Sequence, residues 1–406
     1  MLVPYYAPDI GPSAPLFTML SEELVRRGHR VSVIAAVPHY PTGSVPELFR
    51  KHWIQRSSEN GVEIIRVRIP SVKRASMAQR LLQYICYQLG ATWAGIRLRY
   101  DAAFVANPAL WVWLPFVCLV VLRRKPSIFS VHDVYPDVGV KLGIFRNKWV
   151  IAAVAALERY CLNRSSVVRI LSESFRPGLH ALGLLEDKMV LLYDWVDTDL
   201  IQPLPRNNPF ARQHNLVERF VVLYAGNLGL SQGLEHVLTV AEHLADHPDL
   251  LFVFVGDGAG REKLVAQSEQ RRLSNVLFLP FQTRERLPEV LASASVSLVT
   301  LKRSLGSGSL PSKTLSGLAS GRPLVVSVDE NSDTWNLVEK AEAGLCVPPE
   351  TPPLLADAIL TLLKDPNLCE RLGRNGRAWA EKNHSLRYAA EQFETLFSTV
   401  ISANST

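Results

Sequence analysis

Four groups of residues in this chain have the types and spacing to do chemistry. The first is His132-Asp133, within Ser130-Val131-His132-Asp133-Val134-Tyr135-Pro136. It follows a basic and apolar run, 123–129, that reads as a short strand entering a loop. The imidazole then stands at the carboxyl edge of a sheet, where open α/β sheets bind ligands. A histidine there donates a hydrogen bond to a ligand hydroxyl or acts as a general acid or base. The alternative is a histidine that satisfies buried backbone groups. The second group is a pair of glycine turns, Tyr224-Ala225-Gly226-Asn227-Leu228-Gly229 and Gly256-Asp257-Gly258. Backbone N–H groups in such turns can face a phosphate, although any tight turn takes glycine. Two of them at equivalent strand ends point to a nucleotide-binding lobe. The third is Ser307-Gly308-Ser309-Leu310-Pro311-Ser312-Lys313-Thr314, which opens a helix reaching 318 or 319. Pro311 suits a first helical turn. Lys313 then sits at the positive end of the helix dipole, unfavourable for a cation unless an anion binds there. A diphosphate would supply that anion; the alternative is a solvated lysine on a surface turn. The fourth is the stretch 64–100, with Arg66, Arg68, Lys73, Arg74, Arg80, Arg97 and Arg99 and no Asp or Glu. Tyr84, Tyr87, Trp93 and several Leu and Ile lie between the charges. Such a helix either lies on anionic lipid or packs with solvated ends. Trp111 and Trp113 extend that surface or belong to the core.

The elements that must position these groups alternate between strand and helix patterns, the rhythm of parallel sheets with crossover helices. A strand at Leu2-Val3 leads to the loop Pro8-Asp9-Ile10-Gly11, a helix at 16–27 and a strand at 30–37. The opening strand is shorter than a central buried strand usually runs, so the recorded start is expected to lie a few residues late. A second rhythm places strands at 220–225, 250–255, 276–279, 295–300 and 322–328, with a helix at 234–245. The expected division is 1–202 for the first lobe, a proline-rich linker at 203–217, a second lobe at 218–380, and a C-terminal helix at 381–406 packing back on the first lobe.

A length of 406 residues suits two domains, and 48% apolar residues exclude a disordered chain. The net charge of +6 suits an anionic ligand or membrane surface. No nucleic-acid-binding signature accompanies it, so no nucleic-acid partner is expected. Five widely spaced cysteines without a Cys-x-x-Cys pair argue for a reducing compartment and against a disulfide frame or zinc site. No secretory signal is visible at the N-terminus. The run 102–122 is nearly all apolar but is broken by Asn107-Pro108 and Pro115. It reads as a buried strand, a turn and a packed helix up to Arg123, not as a membrane span.

Taken together, Pro8-Asp9-Ile10-Gly11, Pro38-His39-Tyr40-Pro41-Thr42-Gly43, Val131-His132-Asp133, Asp194-Trp195-Val196-Asp197, Tyr224-Ala225-Gly226-Asn227-Leu228-Gly229, Val255-Gly256-Asp257-Gly258, Leu310-Pro311-Ser312-Lys313 and Ala319-Ser320-Gly321-Arg322-Pro323 form a pattern. The chain resembles the retaining family 4 (group 1) glycosyltransferases of GT-B fold. It is most similar to the surface-polysaccharide branch, the colanic acid, O-antigen and L-fucosamine transferase type. The resemblance implies an α/β architecture of two Rossmann-like lobes with parallel sheets and an interlobe cleft. It implies a nucleotide-sugar donor, first of all a UDP-sugar, on the C-terminal lobe. It also implies a lipid-diphosphate-linked glycan acceptor on the N-terminal lobe, with His39, Tyr40 and Asp133 on the acceptor side. Gly11 and His132 would face the transferred sugar, and Phe281 and Gln282 would lie where the backbone reads the base. Neither a metal nor a cofactor is implied, the nucleotide-sugar being a substrate.

The chain departs from that pattern in places. Many relatives carry an Arg after the glycine matching Gly226 and a Lys before the next glycine; here these are Asn227 and Gln232. Two glutamates common in the family are replaced by Gly308 and Ser316. Lys313, with amides near Gly226 and Leu310, is therefore expected to take over the diphosphate, with Asn227, Gly229, Gly256 and Ser312 lining the donor and Lys302 or Arg303 assisting. Asp329 and Glu330 are candidates for a hydroxyl contact. The expected activity is sugar transfer to a lipid-linked glycan with anomeric retention, by a cytoplasmic protein peripheral to the inner membrane. The rivals are a catalytically silent binding subunit of the same fold and a sugar-nucleotide epimerase.

Overall fold

Apolar runs of four to six residues form the strands, and nearly all strands pair in parallel, as a chain alternating strand and helix requires. The computed structural model describes residues 1–11, 13–40, 42–72, 77–141, 145–303 and 310–405. The chain divides into two units, Met1–Asp194 with Ala389–Thr406, and Trp195–Tyr388. The divisions thus fall after 194 and 388, where the sequence suggested 202 and 380.

In the first unit the strands are β1 (Ser32–Ala36), β2 (Ile54–Glu59), β3 (Val62–Val67), β4 (Ala103–Ala106), β5 (Ser127–Val131), β6 (Val167–Ile170) and β7 (Met189–Leu191). They form two sets, β1-β3-β2 and β4-β5-β6-β7. Leu2 bridges Ile34 of β1 and Val105 of β4, so the short opening segment joins the sets. β2 and β3 form an antiparallel hairpin that turns at Asn60 (φ 50°) and Gly61 (φ 81°), the positive-φ pair that a two-residue hairpin loop favours. The helices used below are α1 (Ala14–Arg26), α2 (Met77–Gly95) and α3 (Ala109–Pro115). The apolar run 102–122 is β4, α3 and a widened π-helical turn, Phe116–Val121. Pro115 carries no N–H, and the helix beyond it widens instead of stopping. Trp111 is buried in the core. No helix among the described residues is long and apolar enough to cross a membrane.

The C-terminal helix Leu386–Ser405 contributes its residues from Ala389 onward to this unit. Phe393 meets Phe104 edge-on at 5.6 Å, and Arg27, the residue capping the end of α1, reaches Glu391 (3.2 Å) and Glu394 (3.0 Å).

In the second unit β8 (Phe220–Ala225), β9 (Leu250–Val255), β10 (Val276–Leu279), β11 (Val296–Thr300), β12 (Leu324–Ser327) and β13 (Gly344–Val347) form one sheet in the order β10-β9-β8-β11-β12-β13. Every pairing is parallel. This is the dinucleotide-binding strand order, and it reverses between β8 and β11, which marks the ligand crevice at their carboxyl ends. Along β8, Val221 and Leu223 enter one core while Val222 and Tyr224 enter another, so helices cover both faces. The stretch expected as a linker is built into this unit. Asn208 accepts from Ala211 N at 2.9 Å and donates to Glu289 O at 3.1 Å.

Candidate active site

In the second unit the glycine turns and the Lys313 helix follow β8, β9 and β11. Tyr224, the next-to-last residue of β8, donates its hydroxyl to Asn227 O at 2.7 Å, closing the first turn. Gln232 sits beyond that turn, its carbonyl accepting from Thr300 Oγ1 at the end of β11 (2.6 Å). Pro311 caps the helix Ser312–Ala319, and Lys313 in its first turn reaches back to β8. Its ammonium donates to Tyr224 Oη at 2.6 Å and to the Gln232 amide oxygen, and lies 4.3 Å from the Tyr224 ring centre. Burial of the ammonium lowers its pKa to about 7. No carboxylate pairs with it among the described residues. A cation at a helix N-terminus is thus held, among the described residues, by neutral groups.

The other cations expected to assist are already compensated. Lys302 pairs with Glu235 at 2.6 Å, and Arg303 lies 3.9 Å from Glu350. One carboxylate oxygen of Asp329 is buried without a hydrogen-bond partner among the described residues, whereas Glu330 is exposed. Of the two positions where the resemblance expects glutamate, Gly308 lies outside the described residues. Ser316 turns its hydroxyl to the Lys313 carbonyl at 3.2 Å.

The two glycine turns interlock through their backbones. Gly226 N donates to Val255 O (2.9 Å), Leu228 N to Asp257 O (2.8 Å) and Gly260 N to Leu228 O (2.8 Å). The Gly226 amide is therefore committed to the sheet. The turn's amides without a protein acceptor among the described residues belong to Asn227 and Gly229. Gly256 has φ 147°, and a Cβ there would fall 1.9 Å from Gly226 O. At Gly258 a Cβ would come 2.4 Å from the Asn227 side chain. These glycines are required by the approach of the first turn, whatever else they touch. Phe281 follows β10 and is exposed, with Gln282 beside it donating to Pro280 O at 2.9 Å. Leu310 is half-buried and Ser312 exposed.

In the first unit the carboxyl ends of β1, β4 and β5 carry the candidates. Asp9, which sequence reasoning assigned no role, organises two loops. One oxygen accepts from Gly11 N at 2.8 Å and the other from His39 N at 2.9 Å. A Cβ at Gly11 would press 2.7 Å from the Tyr5 ring. The His39 ring is stacked on Tyr5 at 5.3 Å and hydrogen-bonds Val37 O through Nδ1 at 2.9 Å, while Tyr40 is exposed. Asn107, at the end of β4, accepts from His132 N (2.9 Å) and donates to Asp133 O (2.6 Å), fixing the loop after β5.

His132 Nε2 lies 3.2 Å from Ser130 Oγ, which accepts from Arg169 Nη1 at 3.0 Å. Phe17 of α1 meets the imidazole edge-on at 5.2 Å. Burial lowers the His132 pKa to about 4, with Asp194 opposing and Arg169 adding to the shift. Desolvation raises the Asp133 pKa to about 6, although the residue is partly exposed. Arg169, in the interior of β6, was missed from sequence; its signal is a charge inside the apolar run Val167-Val168-Arg169-Ile170. Among the described residues no three His, Cys, Asp or Glu side chains gather as around a metal ion.

Two family models divide the chain between them: glycosyl transferases group 1 matches residues 207–379, and a glycosyl transferase 4-like domain matches 13–195. WcaI of Escherichia coli K12, whose name assigns it to colanic acid biosynthesis as a glycosyl transferase, is 26% identical over 398 residues, 96% of each chain. The D-rhamnosyltransferase WbpZ of Pseudomonas aeruginosa is 30% identical over 268 residues, 66% of each chain. Among solved structures, Anabaena HepE in complex with UDP is similar with a TM-score of 0.70 at 17% identity, over 98% of this chain and 99% of that one. With a strand order of nucleotide-binding type, a family match on each unit and a full-length relative, the chain belongs to the group 1, 4-like glycosyltransferases of GT-B fold.

Proposed function

We propose that this glycosyltransferase moves a sugar from a nucleoside diphosphate, first of all UDP, to a lipid-diphosphate-linked glycan during surface-polysaccharide synthesis, with retention at the anomeric carbon. The observation that carries this is the Lys313 ammonium on Tyr224 Oη and the Gln232 amide oxygen. Gln232 stands where the family resemblance expects a lysine, and the cation arrives there from another helix. Neutral partners leave its charge available to a leaving diphosphate, and fixed donors stabilise that charge without reorganising. The Asn227 and Gly229 amides and the helix start at Ser312 add donors. Phe281 and Gln282 lie beside the base, His132 orients the transferred sugar, and no metal is needed. UDP bound to HepE supports the choice of nucleotide. WcaI and WbpZ support a polysaccharide context by their names.

The test is donor turnover by Lys313→Ala against Gln232→Ala, with UDP-, GDP- and ADP-sugars. Loss of a donor to the leaving group is expected to lower kcat about 10²- to 10³-fold for Lys313→Ala. Gln232→Ala is expected to lose less than about tenfold, one neutral hydrogen bond's worth. Small and equal losses would remove Lys313 from the reaction. Binding of a sugar nucleotide without any turnover would favour a silent binding subunit.

The acceptor reading includes a membrane surface. α2 exposes Leu82, Ile85, Leu89 and Trp93 at helical spacing, while Gln83, Tyr87, Ala91 and Ala94 are buried on its other side, and Ile96 just past its end is exposed too. Arg80, Arg97 and Arg99 are exposed at its ends. Lys73 and Arg74, which the sequence adds to this patch, lie outside the described residues. An apolar stripe framed by cations and free of acids suits an anionic lipid interface on the cytoplasmic face.

A further inference from the structure

We infer that Ser130, Arg169 and Asp194 are positioning residues that hold His132 as a neutral imidazole with its proton on Nδ1, so that the ring offers a sugar a hydrogen-bond donor and not an imidazolium. The inference rests on the role proposed for His132 in transfer.

The argument starts at Arg169, which is fully buried and has donors only. Nε donates to Leu192 O at 2.9 Å, Nη2 to Asp194 Oδ1 at 2.8 Å and Nη1 to Ser130 Oγ at 3.0 Å. Phe393 of the C-terminal helix lies 5.5 Å from the guanidinium carbon. The guanidinium therefore occupies a lone pair of the Ser130 oxygen. The hydroxyl proton must go to an acceptor, and the one within reach among the described residues is His132 Nε2 at 3.2 Å. Nε2 then carries the lone pair and Nδ1 the proton. The opposite tautomer would leave the proton of a fully buried hydroxyl without a partner.

Charge points the same way. Among the described residues, the charged groups acting on His132 are the Arg169 guanidinium, which opposes an imidazolium, and Asp194, whose carboxylate is bound by that guanidinium. Phe17 presents an apolar edge from α1, and Asn107 fixes the backbone from the β4 end. A ring so held can read a hydroxyl oxygen through Nδ1–H across neutral pH.

The test is long-range ¹H–¹⁵N correlation on the full chain with labelled histidine. The chain has ten histidines, so His132 is identified by its loss in His132→Asn. The wild-type ring is expected as the Nδ1–H tautomer with no titration between about pH 8 and pH 5. Ser130→Ala should mix the tautomers and lower kcat about tenfold while donor KM stays within about threefold. Ser130→Thr should restore both. Arg169→Gln should let His132 titrate and add an acid limb to the rate profile. An Nε2–H tautomer in the wild type, or titration near the ordinary 6.5, would overturn the inference. The spectrum needs no transfer: the expected tautomer in a chain without turnover would sink the proposed function and leave this inference standing.

Discussion

Lys313 faces two neutral oxygens and no carboxylate among the described residues, and its titration follows from that. Burial brings its pKa from 10.5 to about 7. In the unliganded protein the unfolded chain then binds this proton more tightly than the folded one. The lysine's cost to stability is full below pH 7 and fades as pH rises toward 10.5. A bound diphosphate favours the charged form and raises the pKa again. UDP binding should therefore take up a proton above pH 7, and affinity should weaken with rising pH by at most about tenfold per unit, the limit for one linked proton. Calorimetry in two buffers of different ionisation enthalpy measures that proton; Lys313→Met should abolish both the uptake and the pH slope. The lysine was legible in the sequence because proline and serine mark the helix start that makes a cation there costly. Its partners were not. Tyr224 and Gln232 lie 89 and 81 residues away, and local pattern says nothing about which side chains a sheet brings together. Arg169 and Asp194, 25 residues apart, escaped for the same reason.

At the level of elements, strands that stand alone as apolar runs were legible: β8, β9 and β10 match the sequence reading residue for residue. The hairpin of β2 and β3 was not, because its outer strand, burying only its first two residues partly, carries polar residues that read as loop. The glycine turns were found from composition, yet their purpose is visible only where two backbones meet. Gly256→Ala should destabilise the protein by about 3 kcal/mol, since a methyl group meets a carbonyl oxygen and the φ is strained as well. Gly28→Ala is the control: its φ is also positive, at 96°, but nothing lies within 4 Å, so only about 1 kcal/mol is expected. Urea denaturation of both variants measures the difference. Equal losses would mean that the turns do not depend on each other.

For the molecule as a whole, a net charge of +6 gives weak attraction to any anionic surface, and α2 gives that attraction a place. Vesicles of phosphatidylglycerol and phosphatidylcholine should float the wild type. Leu89→Asp with Trp93→Asp should stay in the dense fraction, because both side chains are exposed and their replacement disturbs no core. Flotation unchanged by the double substitution would eliminate this face. The two-unit plan was legible from the repeated strand-and-helix rhythm, but the division at 194 was not, since composition shifts only at the prolines beyond it. The chain's last helix belongs with its first strands, anchored by Phe393 and by Arg27. Topologically, the second unit is a guest inserted into a host domain. Cutting the gene after codon 194 would therefore strip the host of a wall, and a faithful stand-alone version must splice 389–406 back onto 1–194.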